Sequence, residues 1–137
     1  MPFSQQLSTI KFFHAALTAD ISELLANLRD YEEAFPLLGR LQDDLFNAAQ
    51  LQDDRFFSAL KAECSDQGQS LKMISFLEQD LTALKVESLE FFDRFSQDIS
   101  SARKRNFPRE FDAFSRRILQ RISLEGEYLF PLLGVLK

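Results

Sequence analysis

Two charged residues, Arg121 and Glu125, occupy positions where the sequence otherwise predicts the buried face of a helix. The apolar residues around them recur at steps of three and four along the chain: Phe111, Phe114, Ile118 and Leu129. Residues four apart lie on one face of a helix, so a guanidinium and a carboxylate at this spacing can form a charge-assisted pair. We expect a structural pair rather than a catalytic one, joined by Gln52 from another helix. The alternative is that both side chains lie at the edge of the stripe and reach solvent.

The sequence contains one histidine, His14, and one cysteine, Cys64, and this limits the chemistry open to it. One His and one Cys cannot complete the ligand shell of a zinc ion, and a lone thiol cannot form an intrachain disulfide. No Ser or Cys has a base and an orienting group at a recognisable spacing, and the sequence has no Gly-rich phosphate loop. We therefore expect no catalytic residue, no cofactor and no enzyme activity.

His14 lies beside Phe13, which belongs to an apolar stripe. Three interpretations of this histidine stay open: an ordinary helix residue, a relic metal ligand, or a phosphoacceptor. Cys64 lies near the end of a predicted helix, where a structural role is the simplest interpretation.

The spacing of apolar residues predicts helices, and the few Gly and Pro residues, four of each, lie mostly between the stripes. The first stripe ends near Arg29 and comprises Ile10, Phe13, Leu17, Ile21, Leu24 and Leu28. The second is bounded by Pro36 and Gly39 before it and by residues 65–70 after it. It comprises Leu41, Leu45, Ala48, Gln52, Phe56 and Leu60.

A third stripe ends before Asn106, Phe107 and Pro108, and it comprises Ile74, Leu77, Leu81, Leu84, Phe91, Phe95 and Ile99. The basic run 103–105 then falls in its last turn, where positive charge complements the helix dipole. The fourth stripe carries Arg121 and Glu125; Pro131 kinks or stops that helix and Gly134 closes it. Four such helices with short loops predict an all-α protein, a single domain over residues 1–137 with the up-down-up-down topology of a four-helix bundle.

The composition argues against two classes of partner. With 16 Lys and Arg against 21 Asp and Glu, the formal charge of −5 disfavours binding to nucleic acid or to anionic lipid. No apolar run approaches the roughly 20 residues that span a bilayer, and we expect a cytoplasmic protein without a membrane partner. The 15 Phe residues, in a chain without Trp, predict a core packed with large rings; an exposed Phe patch serving as an interface is the alternative.

The segment RISLEGEYLFPLL, starting at Arg121, resembles the closing motif of hemerythrin-like domains, in which a His is followed four residues later by Glu and then by Leu-Phe-Pro. Glu125 and the segment 129–131 match this motif, but Arg121 stands in the position of the His. A second segment, AAQLQDDRFFSAL, resembles the family's other His and Glu-Glu motif, with Asp53 and Asp54 in place of the acidic pair. Ala48 or Ala49 then occupies the second His position, and His14 resembles the ligand of the first helix.

The resemblance implies a hemerythrin-like bundle, whose di-iron centre needs several His ligands. With a single His in the chain, we expect no metal, and His14 and Glu125 are then relic ligand positions. A non-enzymatic, metal-free regulatory or adaptor protein that binds another protein is the expected function. The alternative is a hemerythrin-like protein that binds metal or oxygen through a reduced or intermolecular site.

Two segments are also similar to parts of anti-sigma proteins of the regulator-of-sigma-D type, which are four-helix bundles that bind the primary sigma factor. They are LQDDLFNAAQLQDDRFFSAL, from Leu41, and RISLEGEYL, from Arg121. This resemblance implies a sigma factor as the protein partner and a role in transcription. The sequence does not identify the partner, and it leaves a homodimer open as well.

Overall fold

The computed structural model describes residues 3–95 and 99–136, of which 89% are helical, and this part of the chain contains no strand. The elements in chain order are α1 (Phe3–Ala26), α2 (Tyr31–Gln50), α3 (Asp54–Glu63), α4 (Gly68–Arg94), α5 (Ser101–Leu124), a π-helical turn (Glu125–Leu129) and α6 (Phe130–Val135). The all-α prediction is confirmed. None of the described helices is both long enough and apolar enough to span a membrane.

The second helix begins earlier than predicted, at Tyr31 rather than after Gly39. The side chain of Asp30 caps it by accepting hydrogen bonds from the backbone N–H groups of Glu32 and Glu33, at 3.1 and 3.4 Å. Pro36 therefore lies inside the helix, and its missing N–H removes one helical hydrogen bond. The cap and the burial of the Tyr31 side chain offset this loss, so the prediction that Pro36 and Gly39 precede the helix is wrong.

The predicted second helix is also divided in two, because the chain turns at residues 51–53. Leu51 and Gln52 close this turn through backbone hydrogen bonds to Ala48 and Ala49, at 3.3 and 3.1 Å. The Asp53 side chain then caps α3 by accepting a hydrogen bond from the Phe56 backbone N–H at 3.0 Å. The turn directs Gln52 into the interior, where only 4% of its surface is exposed.

The boundary between the third and fourth helices lies before Pro108, not at it. Ser100 caps α5 by accepting a hydrogen bond from the Arg103 backbone N–H at 3.1 Å, so Pro108 lies within this helix. The basic run 103–105 consequently lies near the start of α5 instead of the last turn of the preceding helix, where it was predicted. Positive charge is unfavourable at that end of the helix dipole, and it is compensated by contacts from Lys104 to Glu32, at 2.6 Å, and from Arg103 to the Arg94 carbonyl, at 3.2 Å.

Pro131 neither stops nor breaks the last helix, because α5, the π-helical turn and α6 form one continuous helical segment. The Phe130 backbone N–H donates to the Glu125 carbonyl, five residues back, which is the hydrogen bond of a π-helix. Pro131 lies at the start of α6, where a missing N–H is tolerated. Gly134 lies in the last turn of α6, which ends at Val135.

The helices pack around two clusters of buried side chains. α1 packs along α2 and also contacts α5 and α6, whereas α4 packs against α5, α3 and, over a smaller area, α2. One cluster is rich in Phe, and in it the rings of Phe91 and Phe114 stack with their centroids 4.3 Å apart. The other lies around Phe3, Phe56 and Leu129. Most of the predicted stripe residues are buried, while Phe13 is half-buried and Phe12 is exposed.

The packing of α1 on α2 buries an acidic side chain, Asp20, which is 5% exposed. One of its oxygens accepts a hydrogen bond from Arg40 Nε at 3.0 Å, and the carboxyl group of Asp44 lies beside it. Burial raises the pKa of Asp20, and the neighbouring Asp44 carboxyl raises it further, to about 7, despite the opposing charge of Arg40. Asp20 therefore retains its proton in the folded protein at mildly acidic pH.

We expect replacement of Phe114 by Ala to lower the free energy of unfolding by roughly 3 to 5 kcal/mol, because it removes a buried ring and leaves a cavity. Phe12→Ala is the matched control, since the Phe12 side chain is 68% exposed, and it should cost less than about 1 kcal/mol. Urea unfolding monitored by circular dichroism measures both values. Equal losses in the two variants would contradict the packing of α5 described above.

The raised pKa of Asp20 predicts that the free energy of unfolding falls as the pH rises from about 4 to about 7. In the unfolded chain Asp20 loses its proton above pH 3.8, whereas in the folded protein it keeps the proton up to about pH 7. The contribution of this proton to the free energy of unfolding is therefore complete below pH 3.8 and is lost as the pH rises through about 7. The free energy of unfolding should fall by about 1.4 kcal/mol per pH unit where the folded state binds one proton more than the unfolded state. Asp20→Asn should remove most of this slope, while Asp43→Asn, at an exposed position on α2, should leave it unchanged.

Candidate functional site

Arg121 and Glu125 are in direct contact and lie inside the protein. Arg121 is in the last turn of α5, and Glu125 is the first residue of the π-helical turn. The Arg121 Nε atom donates to Glu125 Oε2 at 2.6 Å, and the two residues are 3% and 5% exposed. The structure therefore places this pair in the interior and not at a solvent-facing edge.

Gln52 contacts both members of the pair. Its Nε2 atom donates to Glu125 Oε2 at 3.0 Å, and its Oε1 atom accepts from Arg121 Nη2 at 2.9 Å. An amide suits this position because it offers a donor and an acceptor side by side. The 51–53 turn is thereby linked to α5, and this contact explains why a polar side chain at that turn is buried.

His14 approaches the same carboxylate from α1. Its Nε2 atom lies 2.7 Å from Glu125 Oε1, and because an ionised carboxylate can only accept, the imidazole is the donor. The ring stacks on Phe130, with the centroids 4.9 Å apart, and Lys11 Nζ lies 5.5 Å from the centre of the Phe130 ring. With 15% of its side chain exposed, His14 closes the site on the α1 side.

The remaining donors of Arg121 reach α4. Its Nη1 atom donates to the Leu77 carbonyl at 2.7 Å and to Asp80 Oδ2 at 3.2 Å. Asp80 also accepts from Arg117 Nη2 at 3.0 Å, and Arg117 Nε donates to Glu87 at 3.0 Å. The pair is therefore part of a network of alternating charges that runs along the contact between α4 and α5.

Asp80, Glu87 and Arg117 were not predicted as site residues from the sequence, although their spacing carries a signal. Asp80 and Glu87 are seven residues apart, so they lie two turns apart on one face of α4. Arg117 precedes Arg121 by four residues on α5, which places two cations opposite two carboxylates. The pairing could be suspected from this pattern only if the two helices were already known to be neighbours.

The environment keeps Glu125 ionised. Burial by itself raises the pKa of this carboxyl, but the hydrogen bond from His14, the charge of Arg121 and the hydrogen bond from Gln52 together outweigh burial and lower its pKa below the ordinary value. A carboxylate with both oxygens engaged and a lowered pKa is a poor proton donor at neutral pH. This arrangement is typical of a structural ion pair and not of a general acid.

The side chains around Glu125 do not fit the di-iron centre that the hemerythrin resemblance implies. The guanidinium of Arg121 lies within hydrogen-bond distance of the carboxylate, and a metal ion bound there would meet that positive charge. Among the described residues, no group of three or more His, Cys, Asp or Glu side chains is arranged to hold a metal ion. Asp53, from the second resembling motif, is exposed and caps α3.

Cys64 is a buried free thiol at the end of α3, with 1% of its surface exposed. Burial raises the pKa of this thiol, and the negative charge of Glu63 adds to the effect. A thiol that is neutral and inaccessible is a poor nucleophile. Its position is consistent with the structural role that the sequence suggested.

A cavity of about 1000 Å³ lies beside the ion-pair network. Its walls come from α1, α2, the 51–53 turn, α4 and α5. His14, Gln52, Arg121 and Glu125 form a polar end, and apolar side chains line most of the remainder. At the surface, Phe46 of α2 and Leu89 of α4 border the cavity with 62% and 73% of their surfaces exposed.

No protein-family model, curated protein or solved structure matches this chain. The function is therefore inferred from the geometry of the ion-pair network and of the cavity beside it.

The contacts of Arg121 and Glu125 predict that the stability losses of the two single variants add up to more than the loss of the double variant. Removing one partner, as in Arg121→Met or Glu125→Leu, leaves the other charge buried and should cost roughly 3 to 5 kcal/mol. The double variant leaves neither charge of the pair behind, so its loss should be smaller than the sum of the two single losses. Urea unfolding of the four proteins measures the coupling directly.

Arg117→Met serves as a comparison for this cycle, because Arg117 also contacts Asp80 but does not touch Glu125. It should show much weaker coupling to Glu125→Leu than Arg121→Met does. If Arg121→Met and Glu125→Leu each changed the free energy of unfolding by less than about 0.5 kcal/mol, the pair would behave as an exposed ion pair. That result would contradict its burial.

Proposed function

We propose that this chain is a metal-free, non-enzymatic four-helix bundle of hemerythrin-like type that acts as a regulatory or adaptor protein by binding another protein. The observation that carries the proposal is the pairing of Arg121 with Glu125 at the positions where the resembling family has two metal ligands. Gln52 and His14 complete the hydrogen bonding of the carboxylate, so that protein groups hold both of its oxygens.

The packing of the long helices supports an up-down-up-down arrangement. α1 packs along α2, α4 packs against α5, and α1 also contacts α5, as expected of neighbours in a four-helix bundle. The connection between α1 and α2 is short, which favours antiparallel neighbours. α3 is then an additional short helix in the connection between the second and third long helices.

The chemistry of the interior supports a non-enzymatic role. The ionised Glu125 is committed to three partners, and Cys64 is buried with a raised pKa. Catalysis by a general acid or by a thiol nucleophile requires a group that can reach a substrate and change its protonation state. Neither of these residues meets that requirement in its present contacts.

The exposed apolar side chains at the cavity mouth support a protein-binding surface, which we define as Phe46 of α2 and Leu89 of α4, flanked on α4 by Lys85 and Asp93. Lys85 and Asp93 lie eight residues apart, a separation of about 12 Å along the helix. A groove between two helices with apolar walls is the usual receptor of an amphipathic partner helix. The two charges favour a partner helix with an acidic residue near Lys85 and a basic residue near Asp93.

The test compares the proteins captured from a native lysate by the wild-type chain, by Phe46→Glu/Leu89→Glu and by Phe12→Glu/Phe76→Glu. The second double variant is a matched control, because it adds the same charges at exposed Phe positions that do not line the cavity. A partner of the proposed kind is lost from the first double variant and kept by the control. Purified primary sigma factor is the first individual protein to test, in view of the anti-sigma resemblance.

Loss of a captured protein from both double variants alike, or no difference among the three chains, would contradict the proposed surface. Light scattering in solution identifies a homodimer, in which case the two Glu substitutions should produce monomers.

Elemental analysis of untagged protein tests the metal-free state. One or more iron or zinc ions per chain, lost on His14→Ala, would support the alternative of a hemerythrin-like metal or oxygen binder.

A further inference from the structure

The cavity beside the ion-pair network has the composition of a small-molecule site and extends below the surface to which a partner helix is proposed to bind. Small-molecule sites are concave and mostly apolar, with a few polar groups gathered at one place, and typical volumes are roughly 300 to 1,000 Å³. This cavity has a volume of about 1000 Å³ and gathers its buried polar side chains at one end. Its walls come from four helices and the 51–53 turn, so the scaffold that would hold a ligand is built from regular structure.

The residues of α4 that line the cavity run from Leu81 to Asp93, a length of about 18 Å along the helix. The polar end lies near Leu81, since Arg121 bonds to Leu77 and Asp80 on the preceding turn. Leu84 and Phe92 are among the apolar side chains that line this length, and the exposed Leu89 borders the cavity at the surface. This length of apolar wall suits a molecule with an extended apolar body.

The polar end offers more hydrogen-bond donors than the described protein contacts use. A guanidinium has five N–H bonds, and Arg121 makes four hydrogen bonds: to Glu125, Leu77, Asp80 and Gln52. The amide nitrogen of Gln52 has two N–H bonds and makes one hydrogen bond, to Glu125. One N–H on each side chain is therefore available for an acceptor oxygen.

The charges at this end select against an ionised head group. Arg121 is paired with Glu125, and Arg117 is paired with both Asp80 and Glu87, so every charge of this network already has a partner. A carboxylate or an ammonium group would enter this largely buried site without a counter-ion, which is strongly unfavourable. A neutral oxygen-bearing group can accept from the available N–H donors without that cost.

We propose that this cavity binds a neutral amphipathic molecule, with its extended apolar body between α2 and α4 and its alcohol, ketone or amide oxygen at Gln52 and Arg121. This proposal does not depend on the protein-binding function, because it rests on the interior of the cavity and not on the exposed side chains at its mouth. A molecule that fills the cavity contacts Phe46 and Leu89, which line it.

The experiment uses three probes with the same chain and different head groups: 1-decanol, decanoate and decylammonium. Isothermal titration calorimetry of the full chain should show saturable binding of 1-decanol, at least about tenfold tighter than binding of either charged probe. Equal or tighter binding of decanoate or decylammonium would overturn the neutral head group. Absence of saturable binding by all three probes would overturn the site.

The position of the site is tested with Ala48→Phe, which adds a ring at a small residue in the cavity wall. Ala113→Phe is the matched control, because Ala113 is exposed on α5 and does not line the cavity. Ala48→Phe should weaken 1-decanol binding by at least about tenfold, and the control should leave it unchanged. Unchanged binding in a folded Ala48→Phe protein would overturn the proposal.

A second measurement needs no variant and so does not depend on whether Ala48→Phe folds. A decanol analogue with a diazirine on its chain, activated by light in the wild-type protein, should label residues in the segments that line the cavity, 10–17, 42–53, 81–93 and 118–125, identified by mass spectrometry. Excess 1-decanol should suppress this labelling. Labelling confined to other segments, or insensitive to 1-decanol, would place the apolar probe elsewhere and contradict the proposed site.

Discussion

The structure depends on satisfying one buried cation, the guanidinium of Arg121. An unpaired charge in the interior of a protein is strongly destabilising, so every group that contacts it is held in a narrow range of positions. These groups come from separate parts of the chain: Leu77 and Asp80 from α4, Gln52 from the 51–53 turn, and Glu125 from the π-helical turn. Through Glu125 the contacts extend to His14 of α1. A single side chain thereby links α4 to α5 and holds the 51–53 turn in the interior.

The π-helical turn gives this network its geometry on the α5 side. A π-helix inserts one extra residue into a helical turn, which shifts the residues after it around the helix axis. Here the inserted turn begins at Glu125, whose carbonyl accepts the Phe130 N–H, and Pro131 follows immediately. The shift leaves Leu129 fully buried and brings the Phe130 ring onto His14, so the imidazole is held on one side by a ring and on the other by a carboxylate. Pi-helical turns occur often at functional sites, and the first residue of this one supplies the carboxylate of the ion pair.

Apolar spacing predicted the buried faces of the helices well, because burial repeats with the helix period regardless of what lies opposite. Helix ends were harder to predict, since Pro36, Pro108 and Pro131 all lie within helical segments. The caps at Asp30 and Ser100, together with buried neighbours, outweigh the hydrogen bonds that proline removes. The candidate site was likewise predicted only in part. The spacing of Arg121 and Glu125 suggested their pairing, whereas the contacts with Asp80 and Leu77 depend on the rotation of α4 relative to α5, which one sequence does not contain.

An ion pair differs from a metal centre in what it leaves for a ligand. A catalytic or oxygen-binding metal keeps an open coordination position, so its ligand binds at the centre itself. The Arg121–Glu125 pair has no such position, because Gln52 and His14 complete the contacts of the carboxylate. The paired side chains do line one end of a cavity whose walls are otherwise mostly apolar. At the proposed small-molecule site, affinity therefore comes from the shape of the whole interior, where apolar contacts contribute most of the binding energy and the pair contributes selectivity.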